Sequence, residues 1–338
     1  MEKKHPEVKF GKTGVLIVNL GTPDSTSWWD VRKYLKEFLS DKRVIEVNPV
    51  IWQIILNLFI LTFRPAKSAH AYKKIWFKET NESPLLYFTR KQAEKLKQKI
   101  GNNNVITDFA MRYGNPSIKS KLIHLQGLGC ENIIVLPLYP QYAAPTTATV
   151  CDEVYRTLMG MRWQPSLQIV PHYESNPLYV NALTKSIEKK LHSIDWMPDL
   201  IIASYHGIPK KYFDKGDPYH CYCHKTTRLM KEKFSKIEIQ TTFQSRFGPQ
   251  EWLTPYTDKT LEGLPDKGVK KILVICPGFA SDCVETLEEI NILGRESFLK
   301  SGGEKFDLIP CLNDSSDHIV LFENLVKNMF NNESVPTF

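Results

Sequence analysis

The residue in this chain whose type and position most clearly suit chemistry is a histidine at the end of a predicted strand. Residues 199–205 form a mostly apolar run, and His206 follows directly before Gly207 and Pro209 end the strand. Parallel α/β sheets bind their ligands at the carboxyl ends of strands, so this position predicts an imidazole that faces a crevice. Histidine exchanges protons near neutral pH and is a common ligand for Fe²⁺ and Zn²⁺. A histidine in a strand is more often a satisfied core residue, but this position favours a functional one.

A second chemical feature is a run of carboxylates that follows a later strand. Ser281 is a suitable N-cap there, and an acidic first turn at Glu285 would meet the helix dipole favourably. This structural explanation leaves Glu288 and Glu289 unexplained, and carboxylates one turn apart, such as Glu285 and Glu289, repel by about 0.2–0.5 kcal/mol. A row that costs stability is typical of a site that binds a cation or passes protons. In a cleft, burial and repulsion would raise the pKa values of these carboxyls.

Three other strand ends carry side chains that suit ligand binding. The strand ending at Leu20 turns through Gly-Thr-Pro, but it lacks the glycine pattern and the lysine of a nucleotide loop. Arg112 and Tyr113 end another strand, and an arginine suits a ligand carboxylate. Tyr139 ends a third strand. Tyrosines near strand ends are usually packing residues, so these side chains alone assign no function.

The segment 220–224, His-Cys-Tyr-Cys-His, contains residue types that bind zinc. A structural zinc site normally uses two separated ligand pairs, and the sequence has no second pair of the usual spacing. A site built from this one segment is possible. A surface loop with free thiols is the favoured interpretation.

The order of the predicted elements indicates an α/β protein. Short Val-, Ile- and Leu-rich runs alternate with helical patterns, as in parallel sheets covered on both faces. A helix that begins at Asn176-Pro177 and ends near 196–198 separates two groups of four strands. This pattern predicts two similar α/β halves with a cleft between them. The strands are predicted near 14–20, 104–111, 132–138, 167–171, 199–205, 237–243, 270–276 and 306–310.

The composition restricts the class of protein without choosing a function. The 338 residues are 42% hydrophobic and 24% charged, which is typical of a soluble globular protein of one or two domains. The net charge of +7 suits nucleic acid, anionic lipid or an acidic small molecule. Seven scattered cysteines indicate a reducing compartment, and the charged N-terminus lacks a signal peptide. The longest apolar stretch, residues 50–63, is predicted to be a buried or interfacial helix, too short to span a bilayer.

Together these motifs resemble the ferrochelatase family, whose members insert Fe²⁺ into a porphyrin late in haem synthesis. The resemblance runs almost from end to end of the chain, with many short motifs in the same order. The matching segments are residues 19–23 (Asn-Leu-Gly-Thr-Pro), 109–113 (Phe-Ala-Met-Arg-Tyr), 136–142 (Leu-Pro-Leu-Tyr-Pro-Gln-Tyr), 204–209 (Ser-Tyr-His-Gly-Ile-Pro), 216–219 (Gly-Asp-Pro-Tyr), 244–249 with 251–253, and 278–282 with 285–287.

The resemblance implies a particular architecture. It predicts two Rossmann-like domains, each a four-stranded parallel sheet flanked by helices, with a porphyrin cleft between them. The first domain would comprise residues 1–173, with a mobile lip at about 50–85 that can touch a membrane. The second would comprise residues 174–311. A C-terminal helix within 312–338 would return to the first domain.

The resemblance also assigns roles to individual residues. His206 and Glu285 become the catalytic pair that binds the metal and removes protons, and Glu289 continues an acidic path along the same helix. A porphyrin loses two pyrrole N–H protons as Fe²⁺ enters, so the site needs a base and metal ligands that can release the ion to the porphyrin. The residues expected to line the porphyrin cleft are Leu20, Arg112, Tyr113 and Tyr139.

The expected reaction is insertion of Fe²⁺ into protoporphyrin IX with release of two protons. Fe²⁺ is a substrate here, and no prosthetic group is expected. The alternatives are coproporphyrin III as substrate, insertion of another divalent metal, or a porphyrin or haem carrier without catalysis. We expect a cytoplasmic protein, with peripheral contact to the inner face of the membrane as an option, and no nucleic-acid partner.

The chain departs from the family pattern at two places. Some members hold a [2Fe–2S] cluster with one cysteine just after the Pro-Gln-Tyr motif and three near the C-terminus. Here Ala143 and Ala144 follow Tyr142, and the last cysteine is Cys311, which predicts that no cluster is bound. Many members have a histidine two residues before the metal-site glutamate, and this chain has Cys283 there.

Overall fold

The computed structural model describes residues 8–234 and 237–331 and contains two parallel four-stranded sheets. The strand orders are β2-β1-β3-β4 and β6-β5-β7-β8, so the two halves share one topology. This confirms the predicted α/β class and all eight predicted strands, whose observed ends differ from the predicted ones by a few residues. The strands are β1 Lys12–Thr22, β2 Val105–Gly114, β3 Cys130–Pro137, β4 Ser166–Ile169, β5 Leu200–His206, β6 Ile239–Gln244, β7 Lys271–Ile275 and β8 Lys305–Ile309.

The strands are apolar on both faces because helices cover both faces of each sheet. The run from Val15 to Val18 in β1 is fully buried at every residue, without the in-and-out alternation of a half-exposed strand. In β5, Leu200 to Tyr205 are likewise buried, and only His206 at the end is partly exposed. In β5 the continuous apolar run therefore leads to one polar residue, His206, at the carboxyl end of the strand.

The helices follow the strands in alternation. The predicted helix after Asn176 begins at Pro177, with the Asn176 side chain accepting from the Leu178 N–H. The helices are α1 Trp28–Leu39, α2 Pro49–Ile55, α3 Leu61–Ile75, α4 Pro84–Ile100, α5 Ile118–Gly127, α6 Thr149–Met159, α7 Pro177–Ser193, α8 Lys210–Asp214, α9 Tyr219–Lys233, α10 Thr257–Gly263, α11 Arg295–Lys300 and α12 Ser316–Asn331, with π-helical segments π1 Leu56–Ile60, π2 Ala144–Ala148 and π3 Glu285–Gly294 and a short 3₁₀ turn Pro265–Lys267.

The carboxyl end of β1 depends on a glycine. Gly21 has φ +115°, and a Cβ there would lie 1.8 Å from the carbonyl oxygen of Tyr113 in β2. Only glycine allows the two neighbouring strands to approach this closely. Leu20 and Thr22 flank this glycine at the carboxyl end of the strand.

A long apolar helix, which we call the lip, consists of α2, π1 and α3. Its inner residues, including Leu56, Leu61 and Tyr72, are buried against α1. The prediction that this stretch is too short to span a bilayer was wrong, because the helix continues unbroken to Ile75 and reaches 27 residues. By length and composition alone it could cross a membrane, yet its inner stripe is packed on the protein. Its outer stripe exposes Val50, Ile51, Ile54, Ile55, Leu58, Phe59 and Phe63.

Two further predictions concern the C-terminal half. Helix α12 packs against both α4 and α7, so it joins elements from the two halves of the chain, while residues 332–338 lie outside the described part. The segment 220–224 is not a surface loop, because it forms the first turns of α9. Within it Cys223 is fully buried and Cys221 is exposed.

Candidate active site

His206 lies at the carboxyl end of β5, paired in register with Gln244 of β6. Its Nδ1 is 2.6 Å from the carbonyl oxygen of Gly207. A carbonyl oxygen only accepts hydrogen bonds, so Nδ1 carries the proton and donates it. In the neutral imidazole Nε2 is then the nitrogen without a proton, and no residue in the described part of the chain hydrogen-bonds to it. The ring therefore offers one nitrogen that can take up a proton or bind a metal.

Gln244 links the strand of His206 to the acidic helix. Its Oε1 accepts from the Ser204 hydroxyl at 2.7 Å, and its Nε2 donates to the backbone carbonyl of Glu285 at 2.8 Å. Ser204 and Gln244 are almost fully buried, which strengthens these bonds and fixes their geometry. The first residue of π3 is thereby held beside the end of β5, although His206 and Glu285 are far apart in sequence.

The acidic helix begins later than the sequence indicates and is wound differently. Ser281 was predicted as the N-cap, and this is wrong: its hydroxyl lies 3.3 Å from Oε1 of Gln92, and the helix starts near Glu285. The turn before the helix is closed by Thr286, whose Oγ1 accepts from the Cys283 N–H at 3.0 Å. Residues Glu285–Gly294 then adopt π-helical hydrogen bonding, which is rare and frequent at functional sites.

The carboxylates of π3 do not form a single row. Glu288 forms an ion pair with Lys74 of the lip at 3.0 Å, so it is a contact between the helix and the lip. Glu285 lies at the cleft, where its charge contributes to the raised pKa of Tyr72, after the larger effect of burial. Glu289 points the other way, toward the loop after β6. Each predicted carboxylate therefore has its own environment.

Glu289 is held by Ser245. One carboxylate oxygen accepts from the Ser245 backbone N–H at 2.7 Å and the other from its hydroxyl at 2.5 Å. Ser245 has φ +68°, a left-handed conformation that is uncommon outside glycine and clusters at functional sites. Burial raises the pKa of Glu289, the Ser245 hydrogen bond and the nearby His206 oppose this, and Glu285 adds to it. The charges of both members of the predicted catalytic pair therefore influence the pKa of Glu289.

A cavity of about 10 Å³ lies between the end of β1 and the start of π3. It is lined on one side by Leu20, Gly21 and Thr22 and on the other by Val284 and Glu285. The structure therefore brings Leu20 and Glu285, both predicted from sequence, to the same space, which we call the cleft. The other lining residues are Tyr34, Tyr72, Ile75, Ser83, Pro84, Leu85 and Cys283.

The other residues expected to line a porphyrin site are buried behind the cleft. Arg112 is 7% exposed and forms an ion pair with Asp41 at 2.5 Å, and it also donates to the Thr149 carbonyl. The Tyr113 hydroxyl donates to the same Asp41 carboxylate at 3.0 Å. Tyr139 is buried, and its hydroxyl has no partner among the described residues. Ligand contacts by these three residues stay predictions, and Arg112 would have to leave Asp41 to make one.

The lip carries an arginine, Arg64, that no sequence motif identifies. Arg64 lies 4.3 Å from the ring centre of Phe247 in the second half of the chain. Its Nη1 is buried and has no hydrogen-bond partner among the described residues. Burial lowers the pKa of this guanidinium, and the Glu285 carboxylate opposes the change. No spacing rule marks this residue, which is preceded by an apolar run and followed by Pro65.

The described residues contain no group of three or more His, Cys, Asp or Glu side chains arranged to hold a metal ion. A metal ion bound at His206 or Glu285 would therefore lack the three or four protein ligands of a closed structural site. Cys283 lines the cleft, but burial and then Glu285 raise the pKa of its thiol well above its ordinary value. It is therefore a neutral, weakly coordinating group at neutral pH.

The chain is similar to known proteins over almost its whole length. The chain resembles proteins named ferrochelatase from Allorhizobium ampelinum (56% identical, covering 97% of this chain and 96% of the other), Rhizobium meliloti (54%, covering 96% of each) and Francisella tularensis subsp. novicida (51%, covering 94% and 96%). The fold is similar to SirB from Bacillus subtilis with Fe³⁺, at a TM-score of 0.56 and 12% identity, covering 95% of this chain and 96% of that one. The family model for ferrochelatase matches residues 12–330. The chain belongs to the ferrochelatase family.

Proposed function

We propose that His206 and Glu285 insert Fe²⁺ into protoporphyrin IX in the cleft, with release of two protons. The protein is a metal chelatase of the lyase class and acts in haem biosynthesis. The observation that carries the residue assignment is the fixed contact between the end of β5 and the first turn of π3 through Gln244. This contact supports a placement of the base, His206, and the carboxylate, Glu285, on the same side of the cleft.

His206 acts as the base. Because Nδ1 is occupied by the Gly207 carbonyl, Nε2 is the nitrogen that accepts a pyrrole proton. The imidazolium then loses its proton toward Glu289, whose pKa is raised by burial and influenced by His206. A carboxyl with a raised pKa takes up a proton more readily at neutral pH than an ordinary one.

Glu285 and His206 hold the incoming Fe²⁺ while it loses water. Two ligands are enough to orient the ion and few enough to release it to the four porphyrin nitrogens. A structural site with a complete ligand set would compete with the macrocycle. The open arrangement therefore suits a metal that is a substrate.

Arg64, rather than Arg112, is the cation that is ready to meet a porphyrin carboxylate. Its Nη1 lacks a protein partner, whereas Arg112 is already paired with Asp41. An arginine with a free N–H in a buried position gains strongly from a charged acceptor. The cavity of about 10 Å³ is far below the range of about 300–1,000 Å³ typical of ligand pockets, so porphyrin binding requires the lip to move outward.

The central experiment is anaerobic turnover of protoporphyrin IX with Fe²⁺. His206→Ala and Glu285→Gln should each abolish turnover while porphyrin binding, followed by fluorescence quenching, is retained. His192→Ala and Glu262→Gln remove an exposed histidine and glutamate elsewhere and should retain full activity. Stoichiometric binding without turnover by the wild-type protein would favour the carrier alternative. Full activity of His206→Ala would refute the assignment of the base.

The finer assignments of substrate and cofactor are parts of the same proposal. A parallel assay with coproporphyrin III tests substrate preference, and equal or faster turnover would overturn protoporphyrin as the substrate. We propose that no [2Fe–2S] cluster is bound, since Ala143 and Ala144 occupy the positions after Tyr142. Iron and acid-labile sulfide analysis of protein purified without oxygen tests this.

We propose a cytoplasmic protein that contacts the membrane surface through the outer stripe of the lip. Phe63 is 73% exposed and Val50 is 71% exposed, and large apolar side chains this exposed favour the interfacial zone of a bilayer. Cosedimentation with anionic vesicles should fall when Leu58 and Phe59 are replaced by Ser. Equal cosedimentation of that variant would refute the contact.

A further inference from the structure

Two histidines in α9 have no role in the proposed reaction. His220 and His224 are four residues apart, so both project from the same face of the helix. Their ring centres are 4.4 Å apart. No residue in the described ranges hydrogen-bonds to a ring nitrogen of either histidine. Two neighbouring imidazoles with free nitrogens form half of a tetrahedral metal site.

The two rings are oriented by packing. The His220 ring stacks on Phe243 at 5.7 Å between ring centres, and Phe213 contacts its edge at 5.2 Å. The His224 ring also lies near Phe243, at 6.1 Å. Phe243 is nearly fully buried in β6, so the surface that supports the rings is rigid. The histidines are therefore held in place on their apolar sides and open at their nitrogens.

The pair is separate from the cleft. Successive residues of a strand project from opposite faces of the sheet, and Phe243 directly precedes Gln244. Gln244 contacts π3, so the histidines lie on the face of the second sheet that is turned away from the acidic helix. His224 is exposed and His220 is partly exposed, which leaves solvent access to the nitrogens.

We infer that His220 and His224 form a second, exchangeable site for a borderline divalent metal such as Zn²⁺ or Cu²⁺. Imidazole nitrogen is a preferred ligand of both ions, and two ligands on one helix turn can chelate a single ion. With only two protein ligands, waters complete the coordination, so the ion binds reversibly rather than as a structural centre. This inference does not depend on the proposed function.

The electrostatic setting is compatible with metal binding at neutral pH. Burial lowers the pKa of His220, and burial followed by the His220 and Lys231 charges lowers the pKa of His224. Neutral imidazoles have no proton to lose before they bind a metal. Lys231 is the nearby charge that opposes a cation, and solvent between it and the exposed ring screens this repulsion.

The test uses the full chain, stripped with chelator, in a His206→Ala/Glu285→Gln background that removes the proposed catalytic ligands. Zn²⁺ is titrated in competition with a chromophoric chelator. We expect the protein to bind one equivalent of Zn²⁺, and we expect this binding to be lost in His220→Phe and in His224→Gln. The first variant keeps an aromatic ring against Phe243, and the second changes an exposed residue, so both should fold. The matched control, His124→Ala/His192→Ala, removes two exposed histidines on different helices and should retain the ion.

A second readout locates the ion directly. Bound Zn²⁺ should protect His220 and His224 from diethyl pyrocarbonate, while His124 and His192 are modified at an unchanged rate. The inference would be overturned if Zn²⁺ did not change the rate at which His220 and His224 are modified. It would also be overturned if both single variants still bound one equivalent of Zn²⁺. Absence of chelatase activity in the wild-type protein would refute the proposed function, but it would not affect the Zn²⁺-binding result for His220 and His224.

Discussion

The hydroxyl of Ser245 gives a sharp test of how the acidic helix works. It donates to Oε2 of Glu289 at 2.5 Å, and the backbone N–H of the same residue donates to Oε1. Hydrogen bonds to the charged form of a carboxyl lower its pKa, so they oppose the burial that raises the pKa of Glu289. Ser245→Ala removes the hydroxyl and leaves the N–H in place. The pKa of Glu289 should therefore rise further.

The size of the effect follows from the bond that is lost. A hydrogen bond to a charged group contributes about 1.5–3 kcal/mol, and the partial exposure of Glu289 reduces this to about 1–2 kcal/mol. Since about 1.4 kcal/mol corresponds to one pH unit, the acid limb of the pH–kcat profile should move up by about one unit. The direction is upward because ionised Glu289 accepts the proton in the proposed path, and its ionisation now requires a higher pH.

Unfolding gives a second measure that is independent of catalysis. A carboxyl whose pKa is raised in the folded state costs stability above its ordinary pKa of 4.5, and this cost is absent below that value. Ser245→Ala should therefore be less stable than the wild type to urea at pH 7. The part of this deficit that comes from Glu289 should vanish in acid.

The control separates the hydroxyl from the backbone. Ser245→Gly also lacks the hydroxyl, and glycine in addition relieves the left-handed strain of about 1–2 kcal/mol that serine and alanine both bear at φ +68°. Both variants should show the same shift of the acid limb, and Ser245→Gly should be more stable than Ser245→Ala by an amount that does not depend on pH. An unmoved acid limb in both variants would refute the role of Ser245 in holding Glu289 ionised.

Three further predictions concern the framework of the site. Gly21→Ala should lower the free energy of unfolding, measured by urea denaturation, by more than about 3 kcal/mol, because its Cβ would lie 1.8 Å from a carbonyl oxygen of the neighbouring strand. A decrease below about 1 kcal/mol would contradict this. Arg112→Met should cost about 3–5 kcal/mol, because the largely buried Asp41 carboxylate then keeps only neutral hydrogen-bond donors such as the Tyr113 hydroxyl, and adding Asp41→Asn should recover part of this loss in a double-mutant cycle. Lys74→Met breaks the partly exposed ion pair with Glu288 and should change the free energy of unfolding by less than about 1 kcal/mol. It should nevertheless speed haem release in stopped-flow experiments. An unchanged rate would show that this pair does not restrain the lip.

The sequence predicts the fold well because its signals are local. Eight apolar runs bounded by turn residues identify the eight strands, and the Asn176-Pro177 pair identifies the start of α7. The same signals locate His206, since a strand that stops at Gly207 must present its last side chain at the sheet edge. The lip was predicted less well, because nothing local marks where its helix ends and it runs on to Ile75.

The sequence by itself therefore determined the two α/β halves, the position of His206 and the presence of a carboxylate-rich helix beside it. Only the tertiary structure decided which carboxylate faces what: Glu288 pairs with Lys74, 214 residues away, and Glu289 is held by Ser245. Among the described residues it also gave Nη1 of Arg64 no hydrogen-bond partner, and it paired Arg112 with Asp41. The physical reason is that a side chain's charge state and availability depend on its neighbours in space. Those neighbours come from distant segments that no local pattern encodes.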